Sequence, residues 1–170
     1  MPVNFKLGFY MWKKLFSVFG FIVILIVGAV GNIIGKKASN AMLEPPPLPN
    51  LQEIDAKLIE GFTQASNQFN QQLPMMVDQD TRLDKTTVEP GPRLVYHYTF
   101  PKYTLKNVDI NALQKDLRME IEQKVCTNAD MKKSIQYGGI FVYAYSNGNG
   151  VEKIRFEINR NDCGFPILLP

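Results

Sequence analysis

Arg93-Leu94-Val95-Tyr96-His97-Tyr98-Thr99-Phe100 alternates without a break: Leu94, Tyr96, Tyr98 and Phe100 share one face, and Arg93, Val95, His97 and Thr99 share the other. A period of two is the mark of a strand with one face in a core. The pattern returns 47 residues later, where Val142-Tyr143-Ala144-Tyr145-Ser146 echoes Val95 to Thr99. Each copy follows a helical stretch, which predicts two helix-then-hairpin halves sharing one antiparallel sheet, with the helices on one face. Chance is the competing reading, because tyrosine alternating with small or branched residues suits any half-buried strand.

Working outward, Thr81 to Val88 reads as a strand joined to the first through Glu89-Pro90-Gly91-Pro92. Ile140 to Ser146 and Val151 to Asn159 flank Asn147-Gly148-Asn149-Gly150, a hairpin signal because Asn and Gly accept positive φ. Between the hairpins a helix is expected from Asp109 to about Cys126, with Ile110, Leu113, Leu117, Ile121 and Val125 inward, then a helical turn around Met131 to Ile135 before Gly138 and Gly139. Upstream, Asn50 is placed to cap a helix and Glu53 to complete a capping box. Leu51, Ile54, Leu58, Phe62, Ala65 and Phe69 follow as one apolar stripe that ends before Pro74. The expected fold is α+β in the order α-β-β-α-α-β-β, with helices on one face of a small antiparallel sheet. Residues 51–163 form the domain and 164–170 a C-terminal tail.

Ala38 to Asn50 contains Pro45, Pro46, Pro47 and Pro49, so 38–50 reads as a semi-rigid proline-rich linker, or else as a loop packed on the domain. Before it, Leu15 to Gly35 is a run of 21 residues without a charge. As a helix it would be about 31 Å long, the thickness of a bilayer core. Residues 15–35 are therefore expected to span a membrane once, with 1–14 as a cytoplasmic tail. A cleaved signal peptide, cut near Ser39 and Ala41, is the alternative; the length of the run and the intervening Lys36 and Lys37 count against it. Lys6, Lys13 and Lys14 outweigh Lys36 and Lys37, favouring a cytoplasmic N-terminus and a periplasmic domain at the bacterial inner membrane. Met11 also reads as a natural start. Gly28, Gly31 and Gly35 would lie on roughly one face of the span, with small-xxx-small spacing at Gly31 and Gly35 that permits homo-oligomer contact and Asn32 placed to add an interhelical hydrogen bond, or else the glycines are those common near span ends.

The net charge of +3 belongs to the anchor. Residues 1 to 37 hold five lysines and no acid, leaving 14 basic against 16 acidic residues in the remainder. A nucleic-acid binder would carry a basic stripe there, so nucleic acid is excluded as an expected partner. Cys126 and Cys163, the only cysteines, are most simply one disulfide outside the cytoplasm; two unpaired buried thiols are the alternative. No metal site and no cofactor are expected, since two isolated cysteines and His97 lack ligand spacing.

Leu73-Pro74, Val77-Asp78, Thr81-Arg82-Leu83-Asp84, Tyr96-x-Tyr98, Cys126, Gly138-Gly139, Tyr143-x-Tyr145, Gly150, Ile158 and Cys163, in that order, resemble a group of small exported bacterial proteins of unassigned function. The resemblance covers most of residues 60 to 163. It implies an exported α+β domain with a paired cysteine and no established activity. Members of that group usually carry a short signal peptide, so the anchor and proline stalk are departures from it.

Catalysis needs a nucleophile, a tuned acid or base, or a metal, gathered in a cleft. His97 is the sole histidine and sits mid-strand; no Gly-x-Ser-x-Gly, phosphate loop or dinucleotide fingerprint occurs. The chain is not expected to be an enzyme. Asp78, Asp80, Arg82 and Asp84 form the candidate partner surface, either a polar recognition rim or a solvated connection with capping carboxylates. Three functions follow: a protein-binding or assembly module, as an accessory subunit of an envelope or secretion complex; an anchored immunity-type protein that neutralises a periplasmic toxin; and a hydrolase of envelope polymers that would depend on His97. The bilayer and another envelope protein are the expected partners.

Overall fold

The computed structural model describes residues 50–166. The expected span at 15–35, its glycines and Asn32, the linker up to residue 49 and the last four residues lie outside that range. Among the described residues no helix is long and apolar enough to cross a membrane.

Helix α1 is Leu51–Asn70. Asn50 caps it by accepting the Glu53 N–H at 2.8 Å, but the Glu53 carboxylate turns to Lys57 at 2.6 Å, so only half of the capping box forms. Three strands follow: a two-residue β1, Met75–Met76, that the sequence did not suggest, then β2, Arg82–Glu89, and β3, Arg93–Phe100. Asp109 caps α2, Ile110–Thr127, and Asn128, in extended geometry, breaks that helix and caps α3, Ala129–Gln136. Strands β4, Ile140–Asn147, and β5, Glu152–Ile158, complete the order among the described residues.

Among the described residues five strands lie in the order β1-β2-β3-β4-β5. The sheet is mixed, not antiparallel: β3 and β4 run parallel. The reason lies in the connection, because α2 and α3 carry the chain back along the sheet before β4 starts, and such a crossover delivers a parallel neighbour. The reading as two halves is corrected by the same pairing. Val95 pairs with Val142, Tyr96 with Tyr143 and Tyr98 with Tyr145, so the 47-residue offset is the register between two adjacent strands. In two α-β-β halves the second strand of one would match the second strand of the other; here it matches the first. Both central strands are buried on both faces, not on one as the alternation predicted, and two interior strands of one sheet favour the same pattern.

The helices pack on one face, as the alternation implied. Phe62, Ala65 and Phe69 of α1, Leu117 and Val125 of α2, and Met131 and Ile135 of α3 cover Tyr96, Tyr98, Tyr143, Tyr145 and Phe156. Tyrosine rings stack across the parallel pair, with centroids 5.3 Å apart for Tyr96 and Tyr143 and 4.9 Å for Tyr98 and Tyr145. Burial raises the pKa of all four phenols, so they remain neutral core side chains. A Cβ on Gly139 would lie 2.9 Å from the Ser134 carbonyl and 3.0 Å from the Phe62 ring; the absent side chain lets α1 and α3 meet at the start of β4.

Candidate partner-binding surface

Three loops converge at the end of the sheet remote from the N-terminus of α1. In the first, between β1 and β2, Asp78 accepts the backbone N–H groups of Asp80 and Thr81, each at 2.7 Å, which closes the turn. In the second, after β3, Lys102 donates to the Gln79 carbonyl at 2.7 Å and lies 3.4 Å from the Asp80 carboxylate. Tyr103 sits beside the same carboxylate; slight burial and then the Asp80 charge and hydrogen bond raise its phenol pKa. The third loop is the β4–β5 hairpin. Gly148 donates its N–H to the Tyr103 carbonyl at 2.8 Å, and Asn147 donates its amide to the Thr104 carbonyl at 3.2 Å. A Cβ on Gly148 would stand 2.6 Å from the Pro101 carbonyl, so only glycine permits this contact.

The loops thus brace one another through hydrogen bonds to backbone carbonyls, and large apolar side chains in or beside them face water: Met76 of β1, Tyr103 and Val151 are 49, 44 and 51% exposed. Tyrosine and methionine are enriched at the centres of protein interfaces, where an apolar body on a rigid support loses little freedom on binding. Sequence reasoning singles out none of the three as surface residues: Met76 lies in the unexpected two-residue β1, Tyr103 in a loop, and Val151 reads only as the start of the last strand. The available signal was an aromatic residue directly after a strand, in Pro101-Lys102-Tyr103.

The four expected surface residues divide. Asp78 and Asp80 are at this end. Arg82 and Asp84 lie one step inward, where Arg82 Nε meets Asp84 at 2.5 Å and the Thr99 hydroxyl donates to the other Asp84 oxygen at 2.5 Å. Asp78 and Asp84 thus make these hydrogen bonds within the chain, and Met76, Tyr103 and Val151 are the larger outward groups. Gly28, Gly31, Asn32 and Gly35 are outside the described residues.

Cys126 and Cys163 are joined, with Cα atoms 5.3 Å apart, and tie the last turn of α2 to the segment after β5. His97 hydrogen-bonds the Thr87 hydroxyl at 2.8 Å. Burial, then Lys85 and Arg155, lower its pKa, which keeps the ring neutral. Among the described residues no group of three or more His, Cys, Asp or Glu is placed to hold a metal ion.

A family model described as a domain of unknown function, DUF8479, matches residues 60–156. No curated protein matches the chain. Solved structures share its fold. A candidate secreted protein from Pseudomonas aeruginosa is 16% identical, covering 65% of this chain and 96% of that one, with a TM-score of 0.55. The pilotin EpsS of the Vibrio vulnificus type 2 secretion system is 12% identical over 66% of this chain and 96% of its own, also at 0.55. The type II secretion pilotin AspS from Vibrio cholerae is 15% identical over 66% and 98%, at 0.50. At these identities the fold is what is shared.

Proposed function

The chain belongs to the DUF8479 family, a domain of unknown function, and from that footing we propose that it is a non-catalytic assembly module of the bacterial cell envelope. Its domain, residues 51–163, works in the periplasm, held to the inner membrane by the apolar segment 15–35, and binds another envelope protein through the end of the sheet that carries Met76, Tyr103 and Val151. The observation that carries this reading is the fold: about two thirds of the chain corresponds to nearly the whole of two type II secretion pilotins. An accessory role in a secretion assembly is therefore the form of the proposal. The orientation of the domain supports the choice of surface, since the braced loops lie at the opposite end of the sheet from Leu51, where the tether joins.

The test is site-specific photocrosslinking of the full-length chain in cells, with the probe at Tyr103 and, as a control at the other end, at Lys133. A discrete adduct with a secretion-complex component from position 103 alone is the expected result, and Met76→Ser combined with Val151→Ser should remove it while leaving the disulfide closed. Adducts of equal yield from both positions, or none, would reject the surface. An adduct with a secreted toxin would replace the assembly role by the immunity role.

A further inference from the structure

The turn Asn147-Gly148-Asn149-Gly150 holds the same dipeptide twice, and the fold treats the two copies differently. In an Asn-Gly pair the backbone nitrogen of the second residue reaches the side-chain carbonyl carbon of the first with little hindrance, since glycine has no Cβ in the way. At Asn147 both reacting groups are held. Its carboxamide oxygen accepts the N–H groups of Asn149 and Val151 at 3.1 and 3.0 Å, its carboxamide nitrogen donates to the Thr104 carbonyl, and the residue is 5% exposed. The attacking atom there, the Gly148 nitrogen, donates to the Tyr103 carbonyl at 2.8 Å. Asn149 is free by comparison. It is exposed, its carboxamide has no hydrogen-bond partner among the described residues, and nothing lies within 4 Å of where a Cβ on Gly150 would stand. The Gly150 nitrogen makes one hydrogen bond, to the Asn147 carbonyl at 2.9 Å, at the tip of a hairpin where local opening costs least.

We infer that Asn149 is a self-modification site, converting to aspartate and isoaspartate by deamidation, while the same reaction at Asn147 is blocked by the fold. The Gly150 nitrogen gives its proton to solvent and bonds to Cγ of Asn149; the bond from Cγ to the carboxamide nitrogen breaks, and that nitrogen leaves as ammonia with a proton from solvent. The product is a five-membered succinimide. Water then opens the ring, yielding aspartate where the new bond between the Gly150 nitrogen and Cγ breaks and isoaspartate where the original peptide bond breaks. Either product puts a negative charge where a neutral amide stood, and isoaspartate also lengthens the backbone by a carbon between the two N–H groups that Asn147 clasps. Val151, two residues on, belongs to the proposed partner surface, so the change falls at the edge of that surface. The reaction itself does not rest on that reading.

The test is incubation of the full-length chain in detergent, with the Cys126–Cys163 bond closed, at mildly alkaline pH, which supplies the deprotonated backbone amide. Proteolysis and fragment mass spectrometry across Ser134 to Lys153 then read both asparagines in one peptide. In the folded chain the exchange of NH2 for OH should accumulate at Asn149, with isoaspartate among the products, and at Asn147 on the order of a hundredfold more slowly, the factor for three side-chain hydrogen bonds that must open together. Unfolding the chain in guanidinium should bring the two rates together. Asn149→Gln, whose ring would need a further carbon, should leave the folded chain without the early product. Asn147 reacting as fast as Asn149 in the folded chain, or isoaspartate absent from position 149 while the unfolded chain forms it, overturns the inference.

Discussion

The carboxamide of Asn70 does the work of a neighbouring strand. It accepts the Thr86 N–H at 2.8 Å and returns a hydrogen bond to the Thr86 carbonyl at 2.9 Å, while Ser66 donates to the same carbonyl at 3.0 Å. Strand β1 pairs only with Arg82 and Leu83, so Asn70 satisfies β2 where β1 has ended. Asn70→Ala removes both bonds and should cost roughly 1–3 kcal/mol by leaving the edge amide unpaired, measured by denaturant unfolding; an unchanged midpoint would show that water substitutes fully. His97 makes the second prediction at this scale. Its pKa in the fold lies below the ordinary 6.5, so the unfolded chain takes up this proton first as pH falls. The contribution of this group is therefore neutral above about pH 6.5 and becomes destabilising on acidification. Between pH 7 and 5 the wild type should lose more stability than His97→Gln; a steeper loss in the variant would reverse the sign. Asn70 was visible in the sequence only as one more polar residue at the end of a helix, because its partner is 16 positions away.

Among elements, the disulfide has the largest predicted effect. It closes a loop between residues 37 apart, and in the chain-entropy model such a loop stabilises by about 4 kcal/mol. Cys126→Ser with Cys163→Ser should lower the unfolding free energy by roughly 2–4 kcal/mol and loosen the segment after β5 first, seen as faster amide exchange at Asn159 to Phe165. Uniform loss of protection across the sheet would show instead that the bond supports the whole fold. That loosening has a second restraint to overcome, since Arg118 donates to the Glu157 carbonyl at 2.8 Å and meets Asp162 at 2.5 Å. Most elements were legible because each announces itself locally. The cap at Asn50, the stripe from Leu51 to Phe69, the alternation from Arg93 and the Asn-Gly turn at 147 to 150 all act over a few residues. The two-residue β1 was not, since pairing with β2 alone makes it a strand.

For the molecule as a whole, the stacked rings between the helices and the sheet are the common support. Tyr143 touches Tyr96 at 5.3 Å and Phe156 at 5.6 Å, so it links the strands on either side of β4. Tyr143→Ala should destabilise by roughly 3–5 kcal/mol, with a single cooperative transition at a lower midpoint; two separate transitions would mean that the hairpins fold independently. The four longer strands, the helix-facing side of the sheet, the stripe of α1 and its Asn50 cap were available from the residues alone, because periodicity and capping are short-range signals, while the cysteine count favoured a pair and left two free thiols as the alternative. The parallel pairing of β3 with β4, the gathering of Met76, Tyr103 and Val151 at one end, and the unequal shelter of Asn147 and Asn149 were decided only by tertiary structure. Each depends on the path of the α2–α3 crossover, and a path through space leaves no period in the chain that takes it.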